Sequence, residues 1–314
     1  MRSPILRQLV KRFYLIPMFA ATLLIMSPSA SAQDVTFDFV GQFGGDDRNQ
    51  AVSVTVDGDG NSYVSGRFRA TADLDPGSGV MELTSGGSDD VFVAKLDSAG
   101  ALIWLRTYGG SLLDEVTSIA LDGSGNVYTA GTFSTTADFD PGEEEANFTT
   151  RGSSDCYISK LDNDGNFLWA RAFGNSSADN LEGMELDDAG NVYVTGFFRG
   201  TLDLDPSGAT FNVTSLGDTD AYVCSLDVDG NFRWGGAFLG TERLEGFGIA
   251  VDGNDSVYVT GRFQGSVDFD PSEAEATIAS TGTTDIYITK LTTAGAFVWA
   301  RAFLGSGAGC RGGW

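Results

Sequence analysis

Short apolar runs separated by polar turns dominate the chain and predict β-strands. In the stretch 111–175 these runs are 116–121, 126–133, 156–161 and 167–173, and they are rich in Val, Ile, Thr, Tyr, Phe and Trp. Turns of the form Asp-x-x-Gly lead into the second and fourth runs, and residues 137–140 with 146–149 predict an extra short hairpin between the second and third. A sustained 3.6-residue apolar period with caps is missing, so we expect almost no helix.

The whole pattern repeats every 65 residues without insertion or deletion. A Tyr-x-x-Gly motif, a Trp and an Asp-Pro turn return at this spacing in each copy, which chance does not explain. We therefore divide the chain into four repeat units: unit 1 (about 46–110), unit 2 (111–175), unit 3 (176–240) and unit 4 (241–305). The recurring Tyr and Trp residues are Tyr63, Tyr128, Tyr193 and Tyr258, and Trp104, Trp169, Trp234 and Trp299.

Several of the predicted strands are apolar on both faces, such as residues 155–161. Apolar and polar residues alternate along the strands of a sheet that has one face in water. In a sheet packed between two neighbouring sheets they need not alternate. We therefore predict an all-β fold, a β-propeller of four-stranded antiparallel blades, with the recurrent Trp packed between blades and Gly66 and its equivalents at bulges. An extra N-terminal strand lies at 37–44, and the pattern is lost over 306–314, which we interpret as a truncated or frame-shifted chain with an incomplete or open ring.

The sequence of the repeats resembles the SBBP family, the bacterial "seven-bladed" β-propeller repeat. The matching stretches are Asp-Gly-Ser-Gly-Asn-Val-Tyr-Thr-Ala-Gly at 122–131, Ala-Asp-Phe-Asp-Pro at 137–141, and residues 155–162 and 165–170. The resemblance covers residues from about 37 to 305. It implies a secreted or surface-displayed propeller, and it implies no defined catalytic motif.

The N-terminus has the features of a signal peptide for Sec export. Four basic residues precede an apolar stretch at 13–26, and Ala30-Ser31-Ala32 is the small-x-small pattern of a cleavage site. The apolar stretch is shorter than a membrane-spanning helix. We therefore predict a signal peptide at 1–32 and a mature repeat domain at 33–305 that is secreted, displayed at the cell surface or periplasmic, without a transmembrane segment.

Charge and composition exclude several classes of function. Loss of the four basic residues takes the net charge from −24 to −28, which disfavours nucleic acid and anionic lipid as partners. The chain has no histidine, which excludes Ser-His-Asp and Cys-His catalysis and His-ligated metals. The three cysteines, Cys156, Cys224 and Cys310, do not form a disulfide framework, and we interpret Cys156 and Cys224 as buried, inert thiols.

Paired acids that recur in every unit are the candidate metal ligands. On a strand, residues i and i+2 face one side, so both carboxylates converge and repel unless a cation or hydrogen-bond donors offset them. One hypothesis is a weak Ca²⁺ site per unit, and the alternative is hydrogen bonding to a turn with a salt bridge to a recurring Lys or Arg such as Lys95 or Arg106. The pairs are Asp73 and Asp75, Asp138 and Asp140, Asp203 and Asp205, and Asp268 and Asp270.

The Asp-x-Asp-Gly-Asn segments carry the same two interpretations. One interpretation is Ca²⁺ binding, and the other is a hairpin turn stabilised by Asx side chains. The acids concerned include Asp57 with Asp59, Asp162 with Asp164, and Asp227 with Asp229. A single active site in a repeat protein should interrupt the repeat. In unit 3, Ser225 and Gly236 replace the recurrent Lys and Arg and Arg233 is new, which we interpret as a lost surface ion pair.

The sequence thus predicts a non-catalytic binding or scaffold protein with protein or polysaccharide partners at its loop faces. We predict no catalytic residue, and Ca²⁺ is the one cofactor that we consider. The alternative function is a Ca²⁺-dependent enzyme acting on polysaccharide, a glycoside hydrolase or lyase, with a carboxylate pair as acid and base.

Overall fold

Antiparallel β-sheet makes up the regular structure of the protein. The computed structural model describes residues 41–45, 47–272 and 274–305, all within the compact unit Phe39–Trp314. The predicted signal peptide, the part of the extra strand before residue 41, the tail 306–314 and Cys310 lie outside these residues. Helix is absent from the described residues, as the sequence predicts, and none of them belongs to a helix able to cross a bilayer.

Each unit folds into four antiparallel strands that follow one another in order, with a short hairpin between the second and third strands. In unit 1 the hairpin is continuous with these two strands, whereas in unit 2 it has its own strands. Unit 1 and the segment before it contain β1 (Gly44–Gly45), β2 (Asn49–Val56), β3 (Ser62–Asp73), β4 (Glu82–Leu96) and β5 (Leu102–Gly110). Unit 2 contains β6 (Glu115–Leu121), β7 (Val127–Phe133), the hairpin β8 (Thr136–Asp138) and β9 (Asn147–Thr149), β10 (Asp155–Leu161) and β11 (Phe167–Phe173).

Units 3 and 4 repeat this order, which confirms the predicted four strands and the predicted hairpin. Unit 3 contains β12 (Asn180–Leu186), β13 (Val192–Phe198), the hairpin β14 (Thr201–Asp203) and β15 (Asn212–Thr214), β16 (Asp220–Leu226) and β17 (Phe232–Gly240). Unit 4 contains β18 (Leu244–Asp252), β19 (Ser256–Phe263), the hairpin β20 (Ser266–Asp268) and β21 (Thr277–Ala279), β22 (Asp285–Thr292) and β23 (Phe297–Phe303).

Short hairpins join units 1 and 2 and units 3 and 4 through main-chain pairing, whereas the hairpin β14–β15 of unit 3 forms a sheet of its own. The end of β5 pairs with β8 of the next unit, with Gly109 opposite Asp138. The end of β17 pairs with β20 in the same way. The short strand β1 pairs with the hairpin part of β3, with Gly44 opposite Asp73, which is the same register one repeat earlier. Of the strand predicted at 37–44, residues 41–43 are described outside any strand, and Gly44 belongs to β1, which lies where the end of a fourth strand would lie.

Apolar side chains fill the space between consecutive sheets. The first strands β2, β6, β12 and β18 contact one another in sequence. One buried cluster joins Tyr63 and Val93 of unit 1 to Val127 and Tyr157 of unit 2, and equivalent clusters join units 2 and 3 and units 3 and 4. Because one face of a sheet packs on the preceding unit and the other on the following unit, both faces can be apolar. The recurrent Trp contributes as predicted, since Trp104 belongs to the first of these clusters and Trp169 and Trp234 pack against the other two.

A Lys, a Trp and an Arg in unit 1, and again in unit 2, donate hydrogen bonds to a turn of the next unit. The indole N–H of Trp104 donates to the carbonyl of Asn163 at 3.0 Å, and Nε of Arg106 donates to the carbonyl of Gly165 at 2.8 Å. Lys95 Nζ donates to Oδ1 of Asn163 at 2.6 Å. One repeat later the same role falls to Trp169, Arg171 and Lys160, which donate to the turn formed by residues 227–231.

The structure corrects two expectations about these cations. The recurrent Lys and Arg were expected to pair with the Asp-x-Asp acids, but Lys95 and Arg106 bond to the next unit's turn. The changes in unit 3 therefore remove junction contacts. They also remove an ion pair, since Lys160 lies 3.5 Å from Asp122 in unit 2, but that pair is buried and does not lie at the surface. Trp234 alone keeps its bond there, to the carbonyl of Thr293 at 2.8 Å, while Arg233 donates within its own unit to Ser225.

Glycine in the second strand is required by a bulge in the first. In unit 2 the pairing of β6 with β7 shifts between Val116 and Ser118, opposite Gly131. A Cβ on Gly131 would overlap the carbonyl oxygen of Glu115. Units 1, 3 and 4 show the same shift and the same close approach at Gly66, Gly196 and Gly261. The bulge that the sequence predicted is thus confirmed.

We expect Gly131→Ala to destabilise the protein by about 1–3 kcal/mol, because the methyl group has no space against the β6 main chain. Gly123→Ala is the matched control, since a Cβ at Gly123 meets no atom within 4 Å. Urea denaturation of both variants measures the difference. Equal stability of Gly131→Ala and the wild type would contradict the steric explanation.

Candidate functional site

The eight acids of the predicted metal sites close the loops of the short hairpins. In unit 2, Asp138 Oδ1 accepts the backbone N–H groups of Asp140 at 3.0 Å and Ala146 at 2.8 Å. Asp140 Oδ1 accepts the N–H of Gly142 at 2.8 Å. The turn-bonding alternative thus describes what these carboxylates do here, and their Ca²⁺ binding stays a prediction. The same bonds are made by Asp73 and Asp75, Asp203 and Asp205, and Asp268 and Asp270.

The Asp-x-x-Gly-Asn segments use their first acid in the same way. Asp57 Oδ1 accepts the N–H groups of Asp59 at 3.0 Å and Asn61 at 2.9 Å, and Oδ2 accepts the Asn61 amide at 2.8 Å. The side-chain bond from Asn61 lowers the pKa of Asp57, against an opposing effect of burial. The first carboxylate is therefore committed to the turn, and groups of three or more metal-ligating side chains are absent from the described residues.

Two buried carboxylates meet at the junction of units 1 and 2, and the sequence analysis missed them. Asp114 accepts the N–H of Gly110 at 2.6 Å on Oδ2 and that of Ser134 at 3.2 Å on Oδ1. Asp90 accepts the N–H of Gly86 at 2.8 Å on Oδ2. Oδ1 of Asp90 is buried without a hydrogen-bond partner. Because a buried polar atom without a partner is costly, this oxygen requires an explanation.

The next two junctions explain how the unpartnered oxygen arises. At the junction of units 2 and 3, Asp179 takes the N–H of Asn175 at 2.6 Å, and Oδ1 of Asp155 has no partner. At the junction of units 3 and 4 the second acid is replaced by Leu244, and Asp220 Oδ1 accepts the equivalent N–H, of Gly240, at 2.8 Å. Two acids therefore compete for one main-chain donor wherever both are present.

Burial and mutual repulsion favour the protonated forms of these pairs. Burial, with Asp90 as a like-charged neighbour, raises the pKa of Asp114 to about 7. Burial, with Asp155 beside it, raises the pKa of Asp179 to about 7. Burial, with the neighbouring Asp89, raises the pKa of Asp90 to about 6. These values lie near physiological pH, so the protonation of the pairs changes around neutrality.

Further acids lie on the first strands, where consecutive units meet. Buried Glu245 is paired with Arg262 and with Arg243, the latter at 2.5 Å. Burial, with Glu245 nearby, raises the pKa of Glu182 to about 7. Glu182 also lines a cavity of about 540 Å³ with Phe247 and other apolar side chains of unit 4. The cavity therefore has a mostly apolar lining and one carboxyl group. Its lining residues do not include a nucleophile paired with a base.

The buried cysteines do not supply a nucleophile either. Cys156 and Cys224 are fully buried free thiols, as predicted. Burial raises the pKa of the Cys156 thiol, and that of Cys224, well above the usual range. Because the thiolate is the reactive form, both side chains act as packing groups.

Comparison with known proteins finds distant relatives. No protein-family model matches the chain. The chain is 24% identical over 237 residues to the uncharacterized WD repeat-containing protein L264 of Acanthamoeba polyphaga mimivirus, covering 67% of this chain and 17% of that protein. It is 29% identical over 180 residues to the regulatory protein FlaEY of Caulobacter vibrioides, covering 55% of this chain and 18% of that protein. The chain therefore spans less than a fifth of the length of either relative.

The acid pair between units 2 and 3 makes stability depend on pH. The pKa of Asp179 is about 7 in the folded state and about 4 when unfolded. Its favourable contribution is therefore complete below pH 4 and is lost as the pH rises through 7. We expect Asp155→Asn, which removes the repelling charge, to be more stable than the wild type, with a gain about 1 kcal/mol larger at pH 8 than at pH 5.

Asp220→Asn is the matched control at the junction with a single acid. Asp220 accepts N–H groups with both oxygens, from Gly240 at 2.8 Å and Leu216 at 2.7 Å, so the amide loses one acceptor. We expect this variant to be less stable than the wild type at both pH values. Urea denaturation in the presence of a chelator measures all three proteins, and a gain for Asp155→Asn that does not change with pH would contradict the charge argument.

Proposed function

We propose that the chain is a β-propeller repeat protein that acts outside the cytoplasm as a non-catalytic scaffold for binding protein or polysaccharide. The observation that carries this proposal is the use made of the recurring polar residues. Lys95, Trp104 and Arg106 hold the next unit, and Asp138 and Asp140 close a hairpin loop. The recurring polar side chains thus form the contacts that hold the fold together. This use is more typical of a scaffold than of an enzyme.

The propeller part of the proposal is supported by how the units follow one another. Four-stranded antiparallel sheets pack face to face, with their first strands in contact from one unit to the next. Propeller blades pack on one another in this way, which supports the proposal. A WD repeat forms a four-stranded blade, so the likeness to a WD repeat-containing protein points the same way. We retain the resemblance to SBBP repeats as part of this proposal.

The proposed binding edge is the one where the loops differ between units. In an ordered antiparallel sheet, the turns after the first and third strands lie on one edge, and the other connections lie on the opposite edge. The first edge carries the nearly constant Asp-x-x-Gly turns. On the second edge the connections between units read Ser-Leu-Leu at 111–113, Ser-Ser-Ala at 176–178 and Thr-Glu-Arg at 241–243. Leu112 is 48% exposed and Leu216 is 65% exposed on that edge.

An array that carries glycans and purified cell-envelope proteins tests the binding function. We expect the protein to retain at least one ligand without converting it, so product release from any polysaccharide that binds should equal the background rate. Each assay is run with Ca²⁺ and with a chelator, because the alternative is a Ca²⁺-dependent polysaccharide enzyme. Turnover that requires Ca²⁺ would overturn the scaffold proposal in favour of that enzyme.

A pair of variants locates the binding edge. We expect Leu112→Ser combined with Leu113→Ser to weaken binding by roughly tenfold or more, as the loss of apolar contact area implies. Leu168→Ser is the control, because Leu168 is similarly exposed but lies within the fourth strand of unit 2. Equal loss in both variants would place the binding surface elsewhere.

Export through the predicted signal peptide is tested separately. Expression of the full chain in a bacterium should give a mature protein whose N-terminal sequence begins at Gln33, recovered outside the cytoplasm. N-terminal sequencing of the fractionated product measures this. A cytoplasmic product that retains Met1 would contradict the proposed location and leave the binding proposal open to its own test.

A further inference from the structure

The carboxylates of Asp90 and Asp114 converge on one point although they belong to different units. A Cβ built on Gly109 would lie 2.9 Å from Asp90 Oδ1 and 2.8 Å from Asp114 Oδ2. The main chain fixes this arrangement, because the N–H of Asp114 donates to the carbonyl of Asp89 at 2.9 Å. The two acid side chains therefore cannot be treated as independent surface charges.

The oxygen of Asp90 that faces this point is the unpartnered one. Asp90 is 8% exposed, and its Oδ1 has no hydrogen-bond partner, while Oδ2 is held by Gly86. A negative oxygen without a donor, beside a second carboxylate, is the environment that a hard cation stabilises.

We propose that Asp90 and Asp114 bind one divalent cation with oxygen ligands, Ca²⁺, at the junction of units 1 and 2. The protein supplies the two carboxylates, and water completes the coordination. Such a cation cross-links two units through groups that otherwise repel each other. These residues are distinct from the Asp-x-Asp acids, which close the hairpin loops and have no buried oxygen without a hydrogen-bond partner.

Comparison of the three junctions predicts that only this one binds the cation in the wild type. At the junction of units 2 and 3, Arg151 Nη1 donates to the carbonyl of Gly174 at 3.1 Å, beside Asp155, so a positive charge is already present. At the junction of units 3 and 4, Leu244 replaces the second acid. The expected stoichiometry is one Ca²⁺ per chain.

Calorimetric titration of the purified chain with CaCl₂ at pH 8, after treatment with a chelator, tests the proposal. We expect one site in the wild type, and an affinity reduced roughly tenfold or more in Asp90→Asn, because the site loses one of its two charges. Asp90→Asn should fold, since its amide oxygen can still accept the N–H of Gly86. Asp75→Asn is the matched control for the hairpin acids and should bind Ca²⁺ like the wild type.

A second variant tests the reason for the single site. Arg151→Ala removes the cation next to Asp155 and Asp179, so we expect the stoichiometry to rise from one Ca²⁺ to two. The proposal is overturned if the wild type binds no Ca²⁺, which would mean that the pair shares a proton instead. It is also overturned if Asp90→Asn binds as the wild type does, or if Asp75→Asn abolishes binding.

Discussion

Each sheet of this protein is apolar on both faces, and the rest of the structure depends on covering both. Tyr157 packs on Tyr108 of the preceding unit, with ring centroids 6.0 Å apart, while its neighbour Cys156 contacts Tyr222 of the following unit. A single unit would leave one or both faces in water. Stability must therefore come from interfaces between neighbours as much as from the units themselves, as in other repeat proteins.

The recurrent Trp residues direct their polar contacts between units at the main chain, which lets the repeat vary without losing these bonds. Trp104, Trp169 and Trp234 donate to the carbonyls of residues that differ in each case, namely Asn163, Val228 and Thr293. A carbonyl is present whatever the side chain. The same reasoning applies to the hairpin acids, which accept main-chain N–H groups, so the residues of the surrounding loops are free to change.

The sequence predicted features that depend on local order and missed those that depend on how units meet. The strands, the bulge at Gly131 and the Asp turns follow from residue spacing within a unit. The partners of Lys95 and Arg106 do not, because these side chains cross into the next unit and sequence spacing within a unit does not reveal which turn lies opposite. Asp90 and Asp114 were missed for the same reason, although Asp155 and Asp179 repeat them at the same interval.

The junction of units 3 and 4 shows what the paired acids cost. There Leu244 packs in the core, and the N–H of Gly240 satisfies Asp220, so every buried oxygen of that acid has a partner. The same fold therefore accommodates an apolar side chain where the other junctions keep a carboxylate. Buried charges of one sign destabilise a fold unless something neutralises them. The pairs are nevertheless present at two of the three junctions between units. We therefore infer that they do not serve to stabilise the ligand-free protein and that they hold a cation or a proton between units.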